Sequence, residues 1–311
     1  MHPTLYSAIK EHRRKMRPGQ RKASLNTKFT WKYPYRAEKR AEDYVSHLFV
    51  SVAGPTMFYL KKHIPDFEVN RGVLRIDTSE QEMIESLDTF STLASTGIDS
   101  IKQKDSDAIL LIIVGLLLSE WDRYTTLYAG VPVAMHTDLE IYKQEFLIQL
   151  RKMLSTEVTA FYTAAKTLLG NALASKEIYQ KTYTQIFERF KRLVITRAKY
   201  VARNLISNTQ SHLSQLLFTV AGIPNYIWVV NMDEVLRGNP SGKYANKIPS
   251  HYVMSGIICT WSNDGVYSLD GTTWIPRTEM MEFKAPGRAV NCRCMASPFI
   301  RKDLVDIDNA T

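Results

Sequence analysis

Residues 222–230 read GIPNYIWVV, and the character of the chain changes there. Upstream, apolar residues recur every three or four positions. From Tyr226 onward they fall in short β-branched and aromatic clusters separated by turn residues. YIWVV (226–230) has the make-up of a strand. GIICTW (256–261), GVYSL (265–269) and TTWI (272–275) follow, with turn signals at Asn263-Asp264-Gly265 and Asp270-Gly271; the second suits a tight hairpin. The expected fold class is therefore α+β: a mainly helical N-terminal body with a small C-terminal α+β module containing a short antiparallel sheet.

The body upstream of Gly222 reads as helix. After Pro34, the residues Ala37, Ala41, Tyr44, Val45, Leu48 and Phe49 share one helical face. Gly54-Pro55 is expected to break or kink this helix before a second piece, 57–63. Residues 66–80 look irregular. Helices are predicted over 80–95 and 103–127, and AGVPV (129–133) reads as a linker. A long amphipathic helix is predicted from about 137 to 169, carrying Phe146, Leu150, Leu154, Val158, Phe161 and Ala165, with Gly170-Asn171 as its cap. A last helix, with one break, is predicted over about 176–219. Its polar face is basic, with Lys181, Arg189, Lys191, Arg192, Arg197, Lys199 and Arg203.

The chain has 311 residues, room for two domains, and a net charge of +9. That surplus favours an acidic partner such as nucleic acid and says nothing of the fold. Residues 10–22 (KEHRRKMRPGQRK) concentrate it, and residues 1–30 read as a basic flexible arm. Arg13, Arg14, Lys15, Arg17, Arg21 and Lys22 of the arm, with Arg189, Lys191, Arg192, Arg197 and Lys199 of the last helix, are the candidate contacts to DNA or an acidic partner. The longest apolar run, ILLIIVGLLL (109–118), is half the roughly 20 residues a bilayer span needs, so a buried helix is expected. The N-terminal stretch has no apolar signal core, and three cysteines make no disulfide framework. A soluble chain with reduced thiols, neither secreted nor anchored, is the expectation.

Four stretches carry a more specific signal. They are ARNLISNTQSHLSQLLFTVAGIPNYIW (202–228), DEVLR (233–237), PSHYVMSGIICTW (249–261) and PGRAVNCRCMASPFI (286–300). In this order they resemble the phage Mu F-like minor head protein family, also called the phage head morphogenesis domain. The matching positions are Gly222, Tyr226, Trp228, Asp233, Glu234, Arg237, Pro249, His251, Gly256, Pro286, Gly287, Asn291, Cys292, Arg293 and Cys294. Residues 238–248 form an insertion relative to the family pattern, and the chain lacks the Cys-x-x-Cys and His-Pro pairs that some members carry. The resemblance covers roughly residues 33–300 and divides the chain into the arm (1–30), a helical body (31–175), the head-morphogenesis domain (176–300) and a tail (301–311). It implies a non-enzymatic minor capsid protein of a tailed bacteriophage, associated with the head interior or portal vertex of the virion, and in the host cytoplasm during assembly. Its partners would be the portal protein, major capsid or scaffold proteins and phage DNA, with no membrane. The alternative is a nucleic-acid-binding module acting outside a capsid, with or without a stabilising zinc ion.

The chemistry-bearing residues of the module allow three readings. Asp233, Glu234, Arg237, His251 and Arg293 would form a structural polar cluster, with Arg293 binding a carboxylate and clamping the closing strand to Tyr226–Val230. His251, Cys292 and Cys294 would supply three zinc ligands, with Asp233 or Cys259 as a fourth, although Cys-x-Cys is a poorer chelate than Cys-x-x-Cys. Cys292 would be a nucleophile if a base and a substrate pocket lay within reach. No phosphate-cradling Gly loop, Ser-centred elbow or His-Glu-x-x-His motif is present. The clamp is the preferred reading, with no catalytic residue and no cofactor.

Overall fold

Pro224 forbids further helix, and Gly222 ends the one before it. Phe218 O accepts from Ile223 N at 2.7 Å and Thr219 O accepts from Gly222 N at 2.9 Å, with Gly222 at φ +73°. This is the two-bond helix cap in which a left-handed glycine satisfies the last carbonyls. The chain leaves it directly into a strand. The computed structural model describes residues 3–15, 31–63, 80–133, 140–175 and 179–301. Its helices are α1 (Pro3–Lys15), α2 (Tyr35–His63), α3 (Glu80–Asp99), α4 (Gln103–Ala129), α5 (Glu140–Ser175), α6 (Tyr179–Arg192) and α7 (Ala198–Val220), with a π-helical turn, Leu193–Arg197, between the last two. The strands are β1 (Asn225–Val229), β2 (Ile258–Thr260), β3 (Asn263–Ser268), β4 (Ile275–Pro276) and β5 (Met295–Pro298). They form one antiparallel sheet in the order β4-β3-β2-β1-β5. The fold is α+β. No helix among the described residues is long and apolar enough to cross a membrane.

Two compact units interleave along the chain. One comprises Met1–Ala37, Leu110–Leu139 and Ile206–Thr311, the other Glu38–Ile109 and Glu140–Leu205. The domains expected from sequence follow one another instead, so neither unit corresponds to 31–175 or 176–300. A contiguous division misses the difference because the burial pattern of a helix does not say which unit supplies its neighbours.

In the second unit, α2 buries Ala41, Val45, Phe49, Ala53 and Leu60 completely, and α5 does the same with Leu150, Leu154, Ala165 and Leu169. The expected break at Gly54-Pro55 is absent; α2 runs through it. Proline removes a ladder bond and pushes on the preceding turn. Here Tyr162 of α5 donates its hydroxyl to Val52 O at 3.2 Å and shares a 2.8 Å bond with Thr56 Oγ1, giving the disturbed turn a polar partner. The Gly170-Asn171 cap is likewise absent, since α5 continues to Ser175 and buries Leu169 and Ala172 on either side. The break foreseen in the last helix is the π-helical turn, at whose end Arg197 Nε donates to Glu157 Oε2 at 2.6 Å.

In the first unit, aromatic rings form the core. Phe218 of α7 meets Trp31 at 5.5 Å, Trp121 of α4 at 6.5 Å and Trp261 at 6.3 Å between centroids, and Trp261 lies 4.2 Å from Tyr226 of β1. The arm expected over 1–30 is not free throughout: α1 buries Leu5, Tyr6 and Ile9, and with them Arg13. Residues 16–30, 64–79 and 302–311 lie outside the described residues, and with them the irregular stretch foreseen near 66–80 and the C-terminal tail.

The sheet's outer loop joins Ser268 to Ile275. It is longer than the two-residue hairpin the Asp270-Gly271 pair predicts. Gly271 adopts φ +80°, where a Cβ would strike the Phe299 ring. Asp270 Oδ1 accepts from Thr272 N at 2.7 Å and Thr273 N at 2.8 Å. These amide donors, with the Ser268 hydroxyl, hold the Asp270 carboxyl well below the ordinary carboxylate range. Because the folded value is depressed, the loop's extra stability is present above the ordinary aspartate value and is lost as pH falls through the folded one. A carboxyl-carbon NMR titration should find Asp270 ionised well below the other exposed aspartates; an ordinary midpoint would show that the amides do not hold it.

Candidate functional site

β1 and β5 pair through Tyr226↔Pro298, Ile227↔Ser297, Trp228↔Ala296 and Val229↔Met295. Cys292, Arg293 and Cys294 therefore lie on the approach to β5, one step before the ladder. Cys292 and Cys294 both turn to His251, whose Nδ1 lies 3.4 Å from Cys292 Sγ and 3.5 Å from Cys294 Sγ. Arg293 turns the other way, its Nη1 donating to Asp233 Oδ2 at 3.2 Å.

Two polar groupings result where one cluster was expected. The outer one is Asp233–Arg293. Asp233 also accepts from Asn231 Nδ2 at 2.9 Å and Val235 N at 3.2 Å, and the guanidinium lies over the rings of Tyr33 and Tyr35 at 5.8 and 5.5 Å. It ties the exit of β1 to the approach of β5 just beyond their last ladder pair. The inner grouping joins His251, Arg237 and Glu282. His251 Nε2 bonds Glu282 Oε2 at 3.1 Å, and Arg237 Nη2 lies 3.6 Å from the same oxygen and donates to Val290 O at 3.4 Å. Glu234 belongs to neither: it is exposed and pairs with Lys243 at 3.1 Å. As a neighbour of Asp233 in a turn, it faces solvent.

Glu282 is the residue the sequence reading missed. It is 5% exposed, and Lys284 N donates to its second oxygen at 3.1 Å. Its signal in the sequence is only a single acid between Met281 and Phe283, 31 positions from its histidine. Burial opposes its charge, but His251, the Lys284 amide and Arg237 outweigh this and lower its pKa. Burial likewise opposes protonation of His251, yet Cys292 and Glu282 raise its pKa overall. Cys292 is desolvated too, but Cys294, His251 and the Cys294 amide pull it well below an ordinary thiol. Cys294 moves the other way, first because Cys292 beside it takes the charge and second because of burial. The protons belong to the group as a whole: Cys292 is favoured over Cys294 as the charged sulfur, and Glu282 braces the imidazole.

A thiolate, an imidazole and a carboxylate in a row are the parts of an activated nucleophile. Their exposures are 3%, 2% and 5%, so the sulfur faces protein rather than a substrate. As metal ligands, His251, Cys292 and Cys294 form a compact set with donor atoms within 4.8 Å of one another. The two fourth ligands considered from sequence do not join them. Asp233 is held by Arg293, and Cys259 lies buried on β2 beside Tyr226 and Arg277.

The candidate polyanion contacts divide in the same way. Arg189, Lys191, Arg192 and Lys199 are exposed on α6 and the start of α7. Lys191 pairs with Glu188 at 2.7 Å, and Lys199 lies 3.9 Å from Glu42. Arg197 is committed to Glu157, and Arg13 is 8% exposed, so neither is free to meet phosphate. Arg14 and Lys15 are exposed and lie beside Glu11. Arg17, Arg21 and Lys22 fall outside the described residues.

Arg293→Ala removes a charge-assisted bond and two cation–ring contacts from a partly buried site. It should cost about 1–3 kcal/mol. Trp31, Trp121, Trp228, Trp261 and Trp274 all belong to the first unit, so urea unfolding followed by tryptophan fluorescence reads that unit alone. An unchanged midpoint would remove the clamp. Comparison with models of known protein families, with curated proteins and with solved structures finds no match for this chain.

Proposed function

We propose that this chain is a minor head protein of a tailed bacteriophage, with a structural role in head assembly and in packaging or delivery of DNA. One observation carries the proposal: many of the residues behind the resemblance to the Mu F-like family hold the C-terminal module together. Gly222 turns α7 into β1, and Tyr226 and Trp228 are fully buried in it. Asp233 meets Arg293, His251 meets Cys292 and Cys294, and Gly287 passes against the backbone of α7. A shared motif spent on holding a module together, with its thiols buried, fits a protein whose product is an assembly rather than a reaction. The exposed cations of α6 and α7 give packaged DNA a surface to meet.

Particles assembled without this chain test the proposal. Misshapen heads, reduced DNA content or lost infectivity are expected, and particles indistinguishable from complete ones would refute it. DNA contact has its own signature. If Arg189, Lys191, Arg192 and Lys199 each displace a counterion, the logarithm of affinity should fall with the logarithm of salt with a slope of about −3.6. Duplexes of different sequence should bind alike. A flat salt dependence would remove DNA from the partners and leave the portal, capsid and scaffold proteins.

A further inference from the structure

We propose that His251 Nδ1, Cys292 Sγ and Cys294 Sγ bind one zinc ion, and that the ion braces the closing segment of the C-terminal module. The site stands on the geometry of this chain and not on its role in a virus head.

Distances come first. Zinc takes sulfur at about 2.3 Å and imidazole nitrogen at about 2.0–2.1 Å, so a tetrahedral ion sets its nitrogen and sulfur ligands about 3.5 Å apart. The two N···S separations are 3.4 and 3.5 Å. Both nitrogen–sulfur separations thus match those an ion would impose, and all three donors lie within 4.8 Å of one another. Cys-x-Cys, a weak chelate when both sulfurs bind through one flexible loop, serves here because both sulfurs already meet His251 Nδ1 and the histidine arrives from a separate segment.

The surroundings supply what bound ions need. A histidine ligand is normally fixed by a carboxylate on its other nitrogen, and Glu282 stands 3.1 Å from His251 Nε2. With Nε2–H donating to Glu282, the Nδ1 lone pair is directed at the sulfurs. Gly287 N and Cys294 N both donate to Cys292 Sγ at 3.3 Å, and backbone amides of this kind stabilise thiolates. Glu282 has its own counter-charge in Arg237 at 3.6 Å.

Charge decides the ion's class. Two thiolates and a divalent cation sum to zero, so a buried group that is costly as a pair of anions becomes neutral. Binding requires both sulfurs as thiolates and a free lone pair on His251 Nδ1, so any protons they hold pass to solvent. Sulfur donors disfavour magnesium and calcium and suit zinc. Three protein donors leave one tetrahedral position that the described residues do not fill.

The full-length chain, purified without chelator under reducing conditions, should carry close to one equivalent of zinc by elemental analysis. After the zinc is stripped, Co(II) should restore a sulfur-to-metal charge-transfer band, and zinc should raise the thermal midpoint. Cys259→Ser should keep both responses, and Cys294→Ser and His251→Ala should lose them. Because loss of a ligand can also unfold the module, His251→Cys supplies the second arm: a third thiolate should retain the metal and strengthen the band. Folded wild-type protein that holds under a tenth of an equivalent and gives no cobalt band would overturn the proposal. So would a Cys292–Cys294 disulfide, seen as a mass lower by two hydrogens before reduction.

Discussion

Trp228→Ala should lower the stability of the first unit by about 3–5 kcal/mol, the usual cost of deleting a large ring from a core that cannot collapse around the loss. Trp228 is completely buried and stands on β1, the strand that β2 and β5 flank. Its ring meets His251 edge-on at 5.9 Å and lies under the Arg277 guanidinium at 5.9 Å. Across the strand pair it faces Ala296, whose methyl group is too small to fill the vacancy. Trp228 N donates to Ile257 O and its carbonyl accepts from Gly256 N, which hold the backbone in place after truncation. Trp228→Phe should recover most of the loss. Urea unfolding read by the remaining tryptophans measures both, and a loss for Trp228→Ala under about 1 kcal/mol would mean the ring is not a core residue.

Gly287→Ala is the second large effect, expected at about 2–4 kcal/mol from left-handed strain and overpacking together. Gly287 adopts φ +87°, and a Cβ there would stand 2.6 Å from Ser207 O and 3.3 Å from Ser211 Cβ. The obstacle is the backbone of α7, which cannot retreat without giving up its own ladder. Gly256→Ala is the control: φ is +77°, but nothing lies within 4 Å of the added carbon, so only the strain of about 1–2 kcal/mol should be seen. Equal losses at the two positions would show that the contact with Ser207 carries no cost.

What could be read from the sequence follows the range of the interactions. Helical stripes such as Ala41, Val45, Phe49 and Leu150, Leu154, Phe161 are local patterns, and the elements holding them were expected close to where they lie. The Gly222 turn was likewise legible, because glycine followed by Ile-Pro admits few continuations. The helix through Pro55 is not legible because the Tyr162 hydroxyl that reaches Val52 O and Thr56 Oγ1 beside it comes from 110 and 106 positions away. Helix α1 was hidden because its apolar face is short and a run of cations follows at once. In the site, residue type betrayed His251, Cys292, Cys294, Asp233 and Arg293, but not their division into two faces, which depends on how residues 292–294 approach β5. Glu282 carried no motif at all and is identified only by what surrounds it.

The interleaved order of the two units bears on how the protein is made. Every residue of the unit built from Glu38–Ile109 and Glu140–Leu205 has left the ribosome before β1 does, so that unit can fold during translation. The other unit must wait with its N-terminal and middle segments unsatisfied until β5 emerges and seals the exposed side of β1. A nascent chain stalled ahead of residue 295 would therefore present an unpaired strand edge to any holdase nearby, whatever the state of the portion already folded.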